Sequence, residues 1–411
     1  MQSNRVILHS DLNCFYASVE MMLNPELRGK AVAVCGSTKD RHGIVLAKSE
    51  SAKKAGVKTG MVNWQAKLVC PNLITLPPQY DQYLKYSKLV RDIYLRYTNQ
   101  VEPYGMDECW LDVSGGQTTG LELAEEIRKT VREELGMTVS IGVSFNKIFA
   151  KLGSDLKKPD AVTVIDQSNF KETVWRLPVS ELLYAGRATV KKLKSYRVDT
   201  IGDIVKAGPD FMQRHFGKNG VQLWVFAKGS DTSQVMPEDF QTPVKSIGHG
   251  ITCISDLQNN TEVWKVILEL SQDIGHKLRV NGLLARGVQL SVKDNTLGYR
   301  QYQAQIEIAT QSPMELAKKA YFLFESNYSW RLPIRALTVR AINLVSRTRP
   351  QQLSIFDDLA QRERREHLEE TIDIIRSRFG KRSIYPAILM GDLKMPSNTV
   401  LLHELVMPGV L

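Results

Sequence analysis

Two apolar runs in this chain end in carboxylates. The first is Val6–Asp11, in RVILHSDLNCFYASVE. The second lies in YGMDECWLDV, where Asp107 and Glu108 stand beside Cys109–Leu111. A buried strand cannot carry an ionised side chain into the core unpaired, because desolvating the charge is too costly. Both strands must therefore end at the rim of a sheet. Carboxylates gathered there repel one another unless cations lie between them. The chain as a whole has formal net charge +10. An acidic rim on a basic protein points to a metal-dependent site facing a polyanion. Two divalent ions would neutralise the three acids and hold phosphate oxygens.

Each acid also has a plainer reading. Asp11 can serve only to cap the helix that begins near Cys14. Adjacent strand residues point to opposite faces, so Asp107 and Glu108 converge only if Gly105 makes a hairpin turn; otherwise they form an exposed acidic turn. Lys147 and Lys151 in SFNKIFAK are i,i+4 neighbours on one helix face, either aimed at a triphosphate or solvated.

Periodicity sets the architecture. Val6–Asp11, Ala31–Cys35, Val139–Val143 and Val162–Ile165 are predicted strands. Asn13 is the expected cap of a helix burying Phe15, Val19 and Met22. Leu121–Leu135 is a strongly amphipathic helix stopped by Gly136, and Asn146–Asp155 is a Lys-rich helix. Strands alternating with helices predict an α/β layered domain. Residues 171–235 read as short helices broken by Gly186, Gly202, Gly208, Gly217 and Gly229. Gln234–Pro243 reads as a linker. Residues 244–347 show the order β-α-β-β-α-β, the ferredoxin-like split pattern. There Val288, Leu290 and Val292 are expected to face the core, with Gln289, Ser291 and Lys293 facing out. A charged helix, Leu359–Arg378, follows. The fold class is thus α/β and α+β, in several domains.

Composition narrows the setting. Residues 241–350 hold 14 Lys and Arg against 8 Asp and Glu, an electrostatic footprint suited to nucleic acid or else a solvated surface. No apolar run is long enough to span a bilayer, and MQSNRVILHSD lacks signal-peptide shape. The five cysteines include no CxxC pair, so a reducing cytoplasm is expected.

Taken in order and spacing, DLNCFYASVE, GMDE and GVSFNKIFAKLGSDLKKP resemble the signature segments of the Y-family translesion DNA polymerases, the UmuC/DinB superfamily. The similarity covers about residues 5–350. It implies a right-hand polymerase with a palm at 1–23 and 79–170, fingers at 24–78 and a small helical thumb at 171–235. A linker at 236–243, a little finger at 244–347 and a C-terminal segment at 348–411 would follow. It implies primer-template DNA and dNTP as substrates, two Mg2+ ions as cofactors, and damage tolerance with low fidelity. Asp11 and Asp107 match the metal-bridging carboxylates, Glu108 the third acid, and Leu12 a carbonyl ligand. The backbone of Cys14 and Phe15 would hold the triphosphate, with Lys53 and Lys158 as cations. Tyr16 matches the steric gate against ribose. Gln352-Leu353-Ser354-Ile355-Phe356 resembles the peptide that docks bacterial polymerases on the sliding clamp, with Gln352, Leu353, Ile355 and Phe356 as its anchors; it can equally pack on its own domain. Accessory proteins of the SOS response are further possible partners.

Departures from the family pattern are informative. Asn13 stands where DinB-type members often carry Asp. The fingers pattern Asn-Tyr-Glu-Ala-Arg reads Ser49-Glu-Ser-Ala-Lys53. Lys53 lacks the bidentate fork of Arg, and Glu50 would repel a triphosphate if it faced inward. In the thumb, Gly186 stands alone where a Gly-hydrophobic-Gly turn is usual. These features place the chain nearer the UmuC-like side. Two other readings are a DNA-binding accessory protein with an inactive palm and a nucleotide cyclase. The intact acids argue against the first. The basic 241–350 segment and the clamp-like peptide argue against the second.

Overall fold

The computed structural model describes residues 5–240, 242–350 and 359–396. They form two compact bodies, one from 5–36 and 44–240, the other from 37–43, 242–350 and 359–396. The clamp-like peptide 352–356 lies outside the described residues.

In chain order the first body begins with β1 (Ile7–Leu12) and the helix Phe15–Leu23. A small subdomain follows with β2 (Val32–Cys35), β3 (Val45–Lys48), the helices Glu50–Lys54 and Asn63–Val69, and β4 (Ile74–Leu76). Then come the helix Tyr80–Tyr94, β5 (Val101–Pro103), β6 (Glu108–Asp112), the helix Gly120–Leu135, β7 (Val139–Ser144), the helix Lys147–Leu156 and β8 (Val162–Ile165). The main sheet runs β5-β6-β1-β7-β8, with β1 central. All six residues of β1 are buried, so both its faces are covered. Leu8 and Leu12 join the cluster of Val90, Ile93, Ile127 and Val131 on one side. Ile7 packs with Trp110 and Ala150 on the other. Fully burying one such aliphatic side chain stabilises the fold by about 1.5–3 kcal/mol.

The helix Gly120–Leu135 starts at a capping box, Thr119 with Glu122, and ends at Gly136 in the left-handed region. The helix Lys147–Leu156 lies against β7 at very short range. A Cβ on Gly142 would fall 1.9 Å from the Ala150 carbonyl oxygen. Glycine is required there, and that close approach brings Lys151 over the end of β1.

Residues 170–229 are helical, in Phe170–Val174, Arg187–Ser195 and Ile201–Lys228. The last is kinked at Gly208 and Gly217, whose φ angles are 81° and 63°. Gly202 does not break it: this glycine is buried in the first turn, where a Cβ would lie 3.0 Å from Trp175 Cβ. Helix packing, not chain reversal, accounts for that glycine.

The second body contains β9 (Ser246–Leu257), the helix Asn260–Val280, β10 (Leu283–Asp294), β11 (Tyr299–Thr310), the helix Pro313–Asn327, β12 (Ile334–Ser346) and the helix Leu359–Phe379. Its sheet is antiparallel, in the order β11-β10-β12-β9. Each crossover helix therefore passes over one intervening strand, the split arrangement expected of β-α-β-β-α-β. Val288, Leu290 and Val292 are buried. On the opposite face the register sets Gln303, Gln289 and Arg340 in one row, Gln301, Ser291 and Thr338 in the next, and Tyr299 beside Lys293. Ser291 is on the expected face but is buried, because the Tyr299 hydroxyl lies over it and donates to its Oγ at 2.8 Å. The C-terminal helix docks through an ion pair and a hydrogen bond: Arg279 donates from Nε to Asp373 at 2.6 Å, and the Ser312 hydroxyl donates to Glu369 at 2.5 Å.

Candidate active site

Strand register assembles the acids. Asp11, at the end of β1, pairs across the sheet with Glu108, the first residue of β6. Residues 104–107 form the turn between β5 and β6, with Gly105 at φ 136°. The Leu12 amide donates to the Asp107 carbonyl at 2.9 Å, tying that turn to β1. Burial raises the Asp107 carboxyl to about 6, helped by the nearby charges of Asp11 and Glu108. Burial likewise raises Asp11, with Lys158 opposing. Three acids thus crowd one sheet end.

Two lysines answer them. Lys158 Nζ donates to Asp11 Oδ2 at 2.7 Å and pairs with Asp155 at 2.7 Å. Lys151 Nζ donates to Glu108 at 2.9 Å and lies 3.5 Å from Asp11 and 3.2 Å from Asp155. Burial works against the charge on Lys151, but Glu108, Asp155 and Asp11 outweigh it and raise its pKa. Among the described residues, no three His, Cys, Asp or Glu side chains close on one point as a metal cage; ammonium groups supply the positive charge between the carboxylates. The donor set of hard carboxylate oxygens, crowded enough to repel, fits divalent magnesium-type ions in type and charge.

His9 lies beneath the acids. Its Nδ1 is 2.8 Å from Ser154 Oγ and its Nε2 is 3.5 Å from Glu108. Ser154 donates its proton to the Lys151 carbonyl, so His9 donates from Nδ1 to Ser154. Burial holds the His9 pKa well below its usual value.

The helix after β1 presents the remaining candidates. Its N-cap is Cys14, in the left-handed region at φ 51°, with no side-chain cap. Asn13 does not cap it, contrary to expectation. The Asn13 amide instead donates to Ser140 Oγ at 2.8 Å, and its carbonyl oxygen accepts from the Asp160 amide at 2.8 Å. Phe15 is buried in the core, which leaves only its backbone for a ligand. Tyr16 stacks on Tyr83 with centroids 4.1 Å apart, and its hydroxyl lies 3.4 Å from Met106 Sδ. Tyr83 in turn donates to Glu20 at 2.5 Å. Lys53 is linked to this helix start through Glu50. Lys147 points elsewhere: it pairs with Glu102 at 2.6 Å and lies 4.4 Å from the Trp110 ring centroid.

The structure therefore gathers Asp11, Leu12, Cys14, Tyr16, Asp107, Glu108 and Lys158. It adds Lys151, Asp155 and His9, to which sequence reasoning assigned no role in the acid cluster. The i,i+4 spacing of Lys151 and Asp155, and the i,i+3 spacing of Asp155 and Lys158, are the sequence signals for two of them.

Residues 10–155 match the model of the impB/mucB/samB family, and residues 244–355 match that family's C-terminal domain. The chain belongs to the impB/mucB/samB family. Among its relatives, DNA polymerase IV of Acetivibrio thermocellus is 50% identical, over 94% of this chain and 98% of that protein. DNA polymerase IV 1 of Bacillus subtilis is 33% identical, over 93% and 92%. In fold, the chain is similar to a solved Y-family DNA polymerase chimera, Dbh-Dpo4(243-245)-Dbh, with TM-score 0.74 and 23% identity, covering 83% of this chain and 99% of that one. These matches leave a placement nearer the UmuC-like members of the family unresolved. Among the described residues, no helix is long and apolar enough to cross a membrane.

Proposed function

We infer that this chain is a template-directed, translesion-type DNA polymerase that adds deoxynucleotides to a primer. Family membership supports the activity. The observation that carries the site is the register placing Asp11 opposite Glu108, with Asp107 in the adjoining turn. Asp11, Asp107, Glu108 and the Leu12 carbonyl would hold two Mg2+ ions. When bound, these ions supply Lewis acidity at the primer 3′-hydroxyl and charge neutralisation at the leaving pyrophosphate. The amides of Cys14 and Phe15 head a helix, where backbone N–H groups have no intrahelical partner and suit phosphate oxygens. Lys158 trades Asp11 for a phosphate oxygen, and Lys53 adds a second cation. Tyr16 closes the sugar pocket with a ring held by Tyr83.

On this reading, residues 1–23 and 79–170 are the palm, 24–78 the fingers, 171–235 the thumb, 236–243 the linker and 244–347 the little finger. The deciding experiment is primer extension on undamaged and lesion-bearing templates with magnesium. Extension on both supports the reading; no extension on either refutes it. The remaining partners are a sliding clamp and SOS accessory proteins, in a cytoplasmic setting.

The polar sheet face of the second body is the proposed duplex-binding surface. Arg340 is exposed and shares that face with Lys293. Replacing both by alanine is expected to weaken duplex binding and to reduce the slope of log affinity against log salt by about 0.9 for each phosphate no longer neutralised. An unchanged slope makes this face solvent surface.

The peptide 352–356 is proposed to bind the clamp. Leu353→Ala with Phe356→Ala is expected to abolish clamp pull-down and clamp-stimulated synthesis, while unstimulated extension stays near that of the parent. Early melting with clamp binding intact would make the peptide internal packing instead.

A further inference from the structure

Beside the Cys14 amide, where the proposed function seats the triphosphate, two side chains converge on one oxygen of this chain. The Cys14 thiol donates to Glu50 Oε1 at 3.2 Å, and Lys53 Nζ lies 3.5 Å from the same oxygen. We propose that Glu50 is a resident competitor of the triphosphate that occupies the phosphate seat and sets nucleotide affinity. This proposal rests on the polymerase reading above.

The carboxylate is placed by its backbone. Glu50 opens the helix Glu50–Lys54, whose N-cap is Ser49. Ser49 is buried, and its hydroxyl donates to the Lys30 carbonyl at 3.1 Å and accepts from the Val32 amide at 3.0 Å. That anchor fixes where the next side chain starts. On the other side, Cys14 heads the helix Phe15–Leu23 without a side-chain cap. A helix N-terminus flanked by a lysine attracts anions, and Glu50 supplies one from within the chain. An arriving triphosphate must take over both the thiol and Lys53. Glu50, about one-third exposed, then turns to solvent. Repulsion between the displaced carboxylate and the phosphates weakens nucleotide binding without touching the acids that carry the chemistry.

The test is dNTP KM and kcat for the full chain and for Glu50→Gln, at low and high salt. KM is expected to fall about fivefold, the effect of one charge near 4 Å in a watery setting. The kcat is expected to stay within about twofold, and the KM difference is expected to shrink at high salt. Glu50→Asp keeps the charge but draws it back from Cys14, and is expected to fall between. If Glu50 only supports its own short helix, Glu50→Gln melts earlier and KM does not fall, which overturns the proposal. A raised KM overturns it as well. Equilibrium dialysis of dATP with magnesium, without primer, reads the same exchange without catalysis. An inactive parent would therefore refute the polymerase reading alone, and unchanged dATP affinity in Glu50→Gln would refute the role of Glu50.

Discussion

Asp107→Ala is expected to reduce primer extension by at least about a thousandfold, because losing the proposed anionic metal ligand removes several kcal/mol of transition-state stabilisation. Binding of primer-template measured without divalent cation should be unchanged or slightly tighter, since a negative charge has left a protein that binds a polyanion. Asp11→Ala should behave alike. Asp107 adds a pH signature. Its carboxyl is raised to about 6, first by burial and then by Asp11 and Glu108. The ionised form that would bind a cation is lost as pH falls through about 6, so apparent divalent affinity should drop there. Stability in chelator runs the opposite way. A carboxyl whose folded pKa lies above its unfolded value destabilises the fold as pH rises through the folded value. Asp107→Asn should therefore melt higher than the parent at pH 7.5 without metal, and that gain should vanish near pH 4. Full activity in Asp107→Ala, or an equal melting point for Asp107→Asn at pH 7.5, would mean that Asp107 is not in the charged cluster.

Tyr16→Ala is expected to raise ribonucleotide incorporation relative to deoxyribonucleotide by about 100-fold, the scale on which a closed apolar pocket rejects one added hydroxyl. On the proposed reading the ring is the barrier, and its position is built in layers. Tyr83 backs it at 4.1 Å with the rings 9° from parallel, and Glu20 holds Tyr83 while accepting from Gln79 at 2.7 Å. Burial, then Tyr80 and Asp107, pushes the Tyr16 phenol up to about 12, so discrimination should not vary between pH 6 and 9. Tyr16→Phe keeps the ring and should keep the discrimination. The measurement is the ratio of kcat/KM values for matched dNTP and rNTP, with melting curves to show that each variant is folded. An unchanged ratio in Tyr16→Ala assigns the gate to another residue.

Some of this was legible in the chain itself. The hydrophobic period marks the helix Gly120–Leu135 and its stop at Gly136, because burial repeats every turn and Gly136 adopts φ 65°. The acids of the site stand at strand ends, where an ionised side chain can stay out of the core. Gly105 signals the turn that lets Asp107 and Glu108 share a site despite their strand parity. The β-α-β-β-α-β order of residues 246–346 is likewise written in alternation and period.

Other features needed the assembled fold. Asn13 has the chemistry of a helix cap, yet Ser140 and the Asp160 amide, more than 120 residues away, take its side chain. Lys147 and Lys151 share one helix and differ in fate: the first meets Glu102, the second meets Glu108 and Asp11. Helix spacing puts both near one face, but only the packing of Gly142 against Ala150 decides what each one meets. The hydrogen bond from Cys14 to Glu50 joins two segments 36 residues apart. Local pattern determines which residues are buried and which elements form, because those energies depend on neighbours along the chain. Which charge faces which depends on strand register and helix approach, and these are settled by packing between distant segments.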